Sequence, residues 1–193
     1  MPVIVFRDGQ GLGNQLWLYA SAKSICEKLG FDLEIKNYNK FKGKDFLKLK
    51  YEKKSEVDEK KLDIFHERTY FDKSLGYIVS SYDENVLKID KDTVLEGIYQ
   101  SERYFFNDLE KIKRYIKVDQ KLIKKNYIDK NLCILNIRGG EYKRHRSFTL
   151  NKDYWLNAIN NFRNKFKIYD FKIVTDDFNY AKALFPKMEI IHS

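Results

Sequence analysis

Val3-Ile4-Val5-Phe6 is an apolar run of strand length that passes directly into Arg7-Asp8-Gly9-Gln10-Gly11-Leu12-Gly13-Asn14-Gln15, a glycine-rich loop. Beyond the loop, Leu18, Ala22, Ile25 and Leu29 recur at helical spacing, and Gly30 supplies a stop. Phe31-Asp32-Leu33-Glu34-Ile35 reads as the next strand. A strand, a glycine loop, a helix and a second strand in immediate succession form a β-loop-α-β unit. Such a unit starts a parallel sheet with helices packed on it, so the expected fold class is α/β.

A second stretch carries the same signature with more chemistry. In Leu132-Cys133-Ile134-Leu135-Asn136-Ile137-Arg138-Gly139-Gly140-Glu141-Tyr142, a mostly apolar strand ends abruptly in Arg-Gly-Gly-Glu. An arginine at the exit of a buried strand is costly unless an anion meets it. The glycines let a backbone or a ligand come close. Ligands of open α/β sheets sit beyond the carboxyl ends of the strands, where this arginine falls. Two readings of Arg138 stand side by side: a pair with Glu141 across the turn, or a contact to an anionic ligand.

Between these stretches the pattern changes. Residues 36–61 hold ten lysines interleaved with Phe41, Phe46, Leu47, Leu49 and Tyr51. Basic and aromatic residues in alternation suit nucleic acid, but the expected reading is a solvated insertion over the sheet. Tyr77–Ser80 and Val94–Ile98 read as short strands, and Phe105, Leu109, Ile112 and Ile116 mark a helix. A polar, lysine-rich segment, 118–130, follows. It divides an N-terminal α/β domain, residues 1–118, from a second domain, residues 119–193. In the second domain Asn151 is placed to cap a helix carrying Trp155, Ala158, Phe162 and Phe166. Phe171–Thr175 reads as a strand with Asp176-Asp177 at its exit, a short helix stops at Pro186, and Met188–Ile191 reads as a last strand. Helices between parallel strands are expected to bury both faces of the sheet.

The net charge of +9 favours anionic partners without choosing among phosphates, nucleic acid and a membrane surface. Cys26 and Cys133 both lie in apolar patterns and read as reduced core residues of a cytosolic protein. His66, His145 and His192 are isolated, so no structural metal and no cofactor are expected. No run approaches membrane-spanning length, and no signal peptide is expected. The glycine loop, with the helix start behind it, offers backbone amides to an anion or a hydroxylated ligand. A dinucleotide fingerprint needs glycine where Asn14 stands, and Gly43-Lys44 is followed by Asp45, which excludes a Walker loop.

Four segments, in order, resemble glycosyltransferase family 11, the α-1,2-fucosyltransferases. Gly11-Leu12-Gly13-Asn14-Gln15-Leu16 with Tyr19-Ala20 is similar to the family's N-terminal glycine loop. Gln100-Ser101-Glu102-Arg103-Tyr104-Phe105 resembles its Gln-Ser-Glu-x-Tyr-Phe segment. Asn136-Ile137-Arg138-Gly139-Gly140-Glu141-Tyr142 resembles its His-x-Arg-Arg-x-Asp-Tyr motif, and Thr175-Asp176-Asp177 its Ser/Thr-Asp-Asp. The resemblance implies two Rossmann-like halves in a GT-B arrangement, and inverting transfer of fucose from GDP-fucose without a metal. It implies donor contacts at Gly11, Gly13, Asn14, Gln15, Arg138, Asp176 and Asp177. Arg138 would meet the diphosphate, Asn14 the donor sugar in an interdomain cleft, and the paired acids the guanosine end. Glu141 and Asp8 are candidates for the general base, and Asn14 is a second catalytic candidate beside Glu141. The implied acceptor is a galactoside of a surface glycan or a lipid-linked oligosaccharide. The implied setting is the cytoplasm, with peripheral association at the inner face of a bacterial membrane, and no nucleic-acid partner.

The departures matter as much. The motif histidine is Asn136, the second arginine is Gly139 and the acid is Glu141. Arg144 and Arg146 are candidates to replace the lost guanidinium. Family members are longer, so the second half is expected to be incomplete and the chain a truncated or divergent member. The alternatives are a non-catalytic nucleotide- or sugar-binding remnant, a basic RNA-binding protein and an NAD-dependent enzyme.

Overall fold

The computed structural model describes residues 1–52, 61–74, 76–122, 130–144 and 148–192. The chain divides into two compact units, Met1–Lys124 and Lys125–Ser193. Both are mixed α/β and both contain a parallel sheet. Among the described residues no helix is long and apolar enough to cross a membrane.

The first unit is built on β1 (Pro2–Val5), α1 (Leu12–Leu29) and β2 (Glu34–Lys36), the unit expected from the opening residues. Helix α1 begins at Gly11 without a side-chain cap. It ends where Gly30 turns left-handed at φ 71° and returns its amide to the Cys26 carbonyl. Leu18, Ala22, Ile25 and Cys26 fill the core with Ile4, Phe6 and Leu33. Burial pushes the Cys26 thiol up to about 12, which leaves it inert at neutral pH.

The buried face of α1 is unusually polar. Ser21 and Ser24 are fully buried, and their hydroxyls donate to the carbonyls of Tyr99 and Tyr104 at 3.0 and 2.9 Å. Gln15, also fully buried, donates to the Lys40 carbonyl at 3.0 Å and accepts from the Lys42 amide at 2.9 Å. The helix thus holds two loops through polar groups whose hydrogen bonds are satisfied inside the protein.

The next strands are β3 (Leu47–Leu49), β4 (Asp63–His66), β5 (Thr69–Asp72), β6 (Tyr77–Ser80) and β7 (Thr93–Glu96). After them come α2 (Leu109–Tyr115) and β8 (Ile116–Val118). The main sheet runs β2-β1-β7-β4, all parallel. Strands β5 and β6 form an antiparallel pair, and β3 pairs antiparallel with β8.

This last pairing corrects the expected solvated insertion for its described part, residues 36–52. Phe41, Leu47 and Leu49 are buried in the main core. Phe41 stacks on Phe6 with ring centroids 5.2 Å apart, and Tyr38 stacks on Tyr51 at 5.0 Å. Lysines alternate with these residues on the outer side of the chain, so a basic composition conceals a core segment. Residues 53–60 lie outside the described residues.

The second unit contains β9 (Leu132–Ile137), α3 (Lys152–Phe166), β10 (Asp170–Thr175), α4 (Phe178–Leu184) and β11 (Ile190–His192). The sheet order is β11-β10-β9, all parallel. Leu135, Ile137, Phe171 and Ile173 pack with Ile159 of α3, Ala181 of α4 and Phe185 just beyond it. Burial alternates along β9, with Ile134 and Asn136 exposed while Leu135 and Ile137 are buried. The expectation that helices bury both faces is therefore not met in this unit, and Cys133 is only partly buried.

Asn151 caps α3 as expected, accepting from the Tyr154 amide at 2.9 Å. Asn151→Ala should lower stability by about 1 kcal/mol, the usual loss for a missing N-cap. Urea denaturation followed by circular dichroism checks this, and an unchanged midpoint would contradict it.

Candidate functional site

In the second unit, β9 and β10 run side by side, with Asn136 opposite Val174 and Ile137 opposite Thr175. The register therefore brings both strand exits, Arg138-Gly139 and Asp176-Asp177, to the same carboxyl end of the sheet. Asp176 accepts from the Gly139 amide on Oδ1 at 2.8 Å, and its Oδ2 lies 3.2 Å from Arg138 Nε. The guanidinium thus pairs across the strands with Asp176, not across its own turn with Glu141. It remains 51 % exposed, so solvent or a ligand reaches it. It also lies over the Tyr142 ring, 5.0 Å from the centroid.

Asp177 closes the same end from the other side. It caps α4 by accepting from the Tyr180 amide at 3.0 Å, and it pairs with Lys143. The Lys143 ammonium, and then the Tyr180 amide, hold its carboxyl below the usual carboxylate range. One of the two acids is thus a helix cap. Gly139 is buried against this acid: a Cβ there would come within 2.6 Å of Asp177 Cβ. Gly140 is left-handed at φ 35°.

Beside Arg138 lies a cavity of about 140 Å³ lined by Asn136, Tyr142, Phe148, Leu150, Trp155 and Tyr180. It holds a fragment of a ligand, not a nucleotide sugar. Glu141 is exposed on the short helical turn after Gly140. Arg144 lies on the same turn and Arg146 is outside the described residues. A larger cavity of about 630 Å³ opens among Leu156, Arg163, Phe171, Leu184 and Met188, near the start of β10. It is away from the strand exits, where ligands of such sheets gather.

In the first unit the glycine loop leaves β1 at its carboxyl end. Gly9 is left-handed at φ 82°, and among the described residues a Cβ at Gly9, Gly11 or Gly13 would meet nothing within 4 Å. No acidic side chain occupies the first turn of α1. Asn14 does not cap α1, whose N-cap position is Gly11. It lies inside the first turn, exposed, and its Oδ1 accepts from Gln100 Nε2 at 2.7 Å. Gln15, by contrast, is turned inward, with its amide nitrogen and oxygen each bonded to the backbone at 40–42.

The same carboxyl end holds side chains that the sequence did not single out. Glu96, the last residue of β7, lies opposite His66, the last of β4. Its Oε2 is 3.0 Å from His66 Nδ1, and its Oε1 is 3.4 Å from Arg7 Nη2. Asp8, considered as a base, pairs instead with Lys40 at 2.6 Å. No sequence signal reveals the His66–Glu96 pair, because it depends on the register of strands 30 residues apart.

No protein-family model matches this chain, and no curated protein matches its sequence.

Proposed function

We propose that the chain is a glycosyltransferase of the GT-B kind, akin to the α-1,2-fucosyltransferases, that takes fucose from GDP-fucose. The acceptor is a galactoside of a surface glycan or of its lipid-linked precursor. One observation carries this reading: the four segments that resemble the family meet as two side-chain pairs, Asn14 with Gln100 and Arg138 with Asp176. The family-like residues are thus organised with one another and not scattered over the surface.

In this reading Arg138 receives the diphosphate. Sugar transfer leaves negative charge on the departing phosphate oxygen, and a guanidinium stabilises that charge without any change in its own protonation. With Asp176 on Nε, the terminal nitrogens are the edge offered to two phosphate oxygens. Asp176 and Asp177 have lone pairs beyond those used in the turn, and these are what they would offer the guanosine end. The amides behind Gly11 and Gly13, with Asn14, would hold hydroxyls or charge on the ligand. Gln15 serves this loop from behind, as an anchor. The work is placed in the cytoplasm, where a net charge of +9 suits the anionic inner face of a membrane.

A second reading, binding without turnover, is favoured by Gly139. The arginine expected there is absent and the backbone has closed on Asp177 in its place. Arg138→Lys should weaken GDP binding about tenfold or more, because an ammonium forms no planar fork. Calorimetry on both proteins tests this, and equal affinity would reject the diphosphate assignment. Release of GDP from GDP-fucose over a panel of galactosides separates the transferase from the binding protein.

A further inference from the structure

We propose that His66 is the general base of the transfer, with Glu96 and Arg7 as its positioning residues; this rests on the transferase reading above. Arg7, Glu96 and His66 lie at or just beyond the carboxyl ends of β1, β7 and β4, three neighbouring strands of one parallel sheet. The glycine loop leaves the same end. In open α/β sheets this end is where ligands are handled.

The chemistry follows from the contacts. Glu96 Oε2 lies 3.0 Å from His66 Nδ1, and because a carboxylate has only lone pairs to offer, the proposed tautomer carries its hydrogen on Nδ1. The neutral ring then has its free lone pair on Nε2, directed away from Glu96. Glu96 is held in turn on its other oxygen by Arg7 at 3.4 Å. The base is oriented by an acid, and the acid is oriented by a cation. His66 is 71 % exposed, so an acceptor hydroxyl has access to it. The rival bases are less suited: Asp8 is bound to Lys40, and among the described residues Glu141 has no orienting ion pair of this kind. Glu96 faces the imidazole and holds Arg7 on its other oxygen, while Glu67, the next residue in the chain, is committed to the amides of Ile98 and Tyr99. Asp63, at the other end of its own strand, is taken by Lys91.

The step balances without a further reactant. The acceptor oxygen bonds to the anomeric carbon of the donor sugar as its proton passes to His66 Nε2. The bond from that carbon to the diphosphate oxygen breaks, and the electron pair leaves with GDP. The imidazolium returns its proton to water. Glu96 steadies the imidazolium, and the product has inverted stereochemistry.

Three readouts on the full-length protein test the assignment. His66→Gln should lower kcat about 100- to 10,000-fold, the range for loss of a general base, with GDP affinity unchanged. Glu96→Gln should lower kcat less than His66→Gln does and leave KM unchanged, because it loosens the ring without removing the base. Imidazole nitrogen shifts in the resting wild type should report hydrogen on Nδ1. A wild type that turns over, with His66→Gln equally fast, would remove His66 and leave the transferase reading standing. Hydrogen on Nε2 would remove His66 whatever the rates. A wild type that binds GDP but transfers to no galactoside would overturn the transferase reading and this assignment together.

Discussion

Gly139→Arg, which restores the residue type that the resemblance expects, should destabilise the second unit by about 3 kcal/mol and should not tighten nucleotide binding. The reason is steric before it is electrostatic. A Cβ at position 139 would lie 2.6 Å from Asp177 Cβ and 3.0 Å from Tyr180 Cδ1. Both neighbours are fixed, because Asp177 caps α4 and accepts from the Tyr180 amide at 3.0 Å. Relief would need the strand exit to move, which would also loosen the 2.8 Å bond from the Gly139 amide to Asp176. Overpacking of this kind typically costs about 1–3 kcal/mol, more where backbone must shift. Gly139→Ala should show most of the effect with little added charge. Chemical denaturation of the wild type and both variants, with GDP titrations on each, checks the prediction. An arginine variant as stable as the wild type that binds GDP more tightly would show that the turn opens readily and that the second guanidinium is simply missing.

The same geometry explains why Arg138 was ambiguous in the sequence. Glu141 is its nearest acid along the chain, three residues on, and local reasoning pairs the two. The partner it takes, Asp176, is 38 residues away and reaches it only through the parallel register of β9 and β10. What the sequence did reveal was the exit itself, since an apolar run that breaks into Arg-Gly-Gly marks a strand end under any register. The β1-α1-β2 and β9-α3-β10 units were legible for the same reason: their apolar periodicity is local and is punctuated by Gly30 and Asn151. By contrast, β4 was not legible. Asp63-Ile64-Phe65-His66 is a four-residue edge strand whose two apolar residues are too few to show a period, and Ile64 and His66 face solvent. With β4 unseen, the His66–Glu96 pair was out of reach.

Buried polar residues set the second limit. Helix α1 showed an apolar stripe in the sequence, but Gln15, Ser21 and Ser24 are also fully buried. Their role is to hold the loops at 40–42 and 99–104, and nothing in a helix pattern announces a partner on a distant loop. The lysine-rich stretch failed in the opposite direction. Its composition pointed to solvent, while Leu47 and Leu49 alternate inward past Lys48 and complete the core. Composition averages over both sides of a strand, and burial does not.

Glu67→Leu should cost about 2–4 kcal/mol, whereas Glu67→Gln should be as stable as the wild type in acid and more stable than it at neutral pH. Glu67 is 5 % exposed and sits just after His66. Its Oε2 accepts from the amides of Ile98 at 2.9 Å and Tyr99 at 2.7 Å. These bonds hold a corner in which Gly97 has φ 156° and Tyr99, a residue with a side chain, has φ 54°. The next residue is Gln100, which reaches Asn14. Leucine fills similar space but accepts nothing, so two amides lose their partner at the corner; each buried unsatisfied group costs about 1–3 kcal/mol. Glutamine keeps the acceptor and removes the charge. Burial pushes the Glu67 carboxyl above its ordinary 4.5, against the pull of the Tyr99 and Ile98 amides. A carboxyl with a raised folded pKa contributes stability that is complete below 4.5 and is lost as pH rises through the folded value. Glutamine does not titrate, so its advantage should appear across that window and stay constant above it. Denaturation midpoints from pH 4 to pH 8 on the three proteins measure this. A Glu67→Gln curve parallel to that of the wild type would mean that the carboxyl does not titrate in this range. A Glu67→Leu protein of undiminished stability would mean that the corner at Gly97–Tyr99 holds itself.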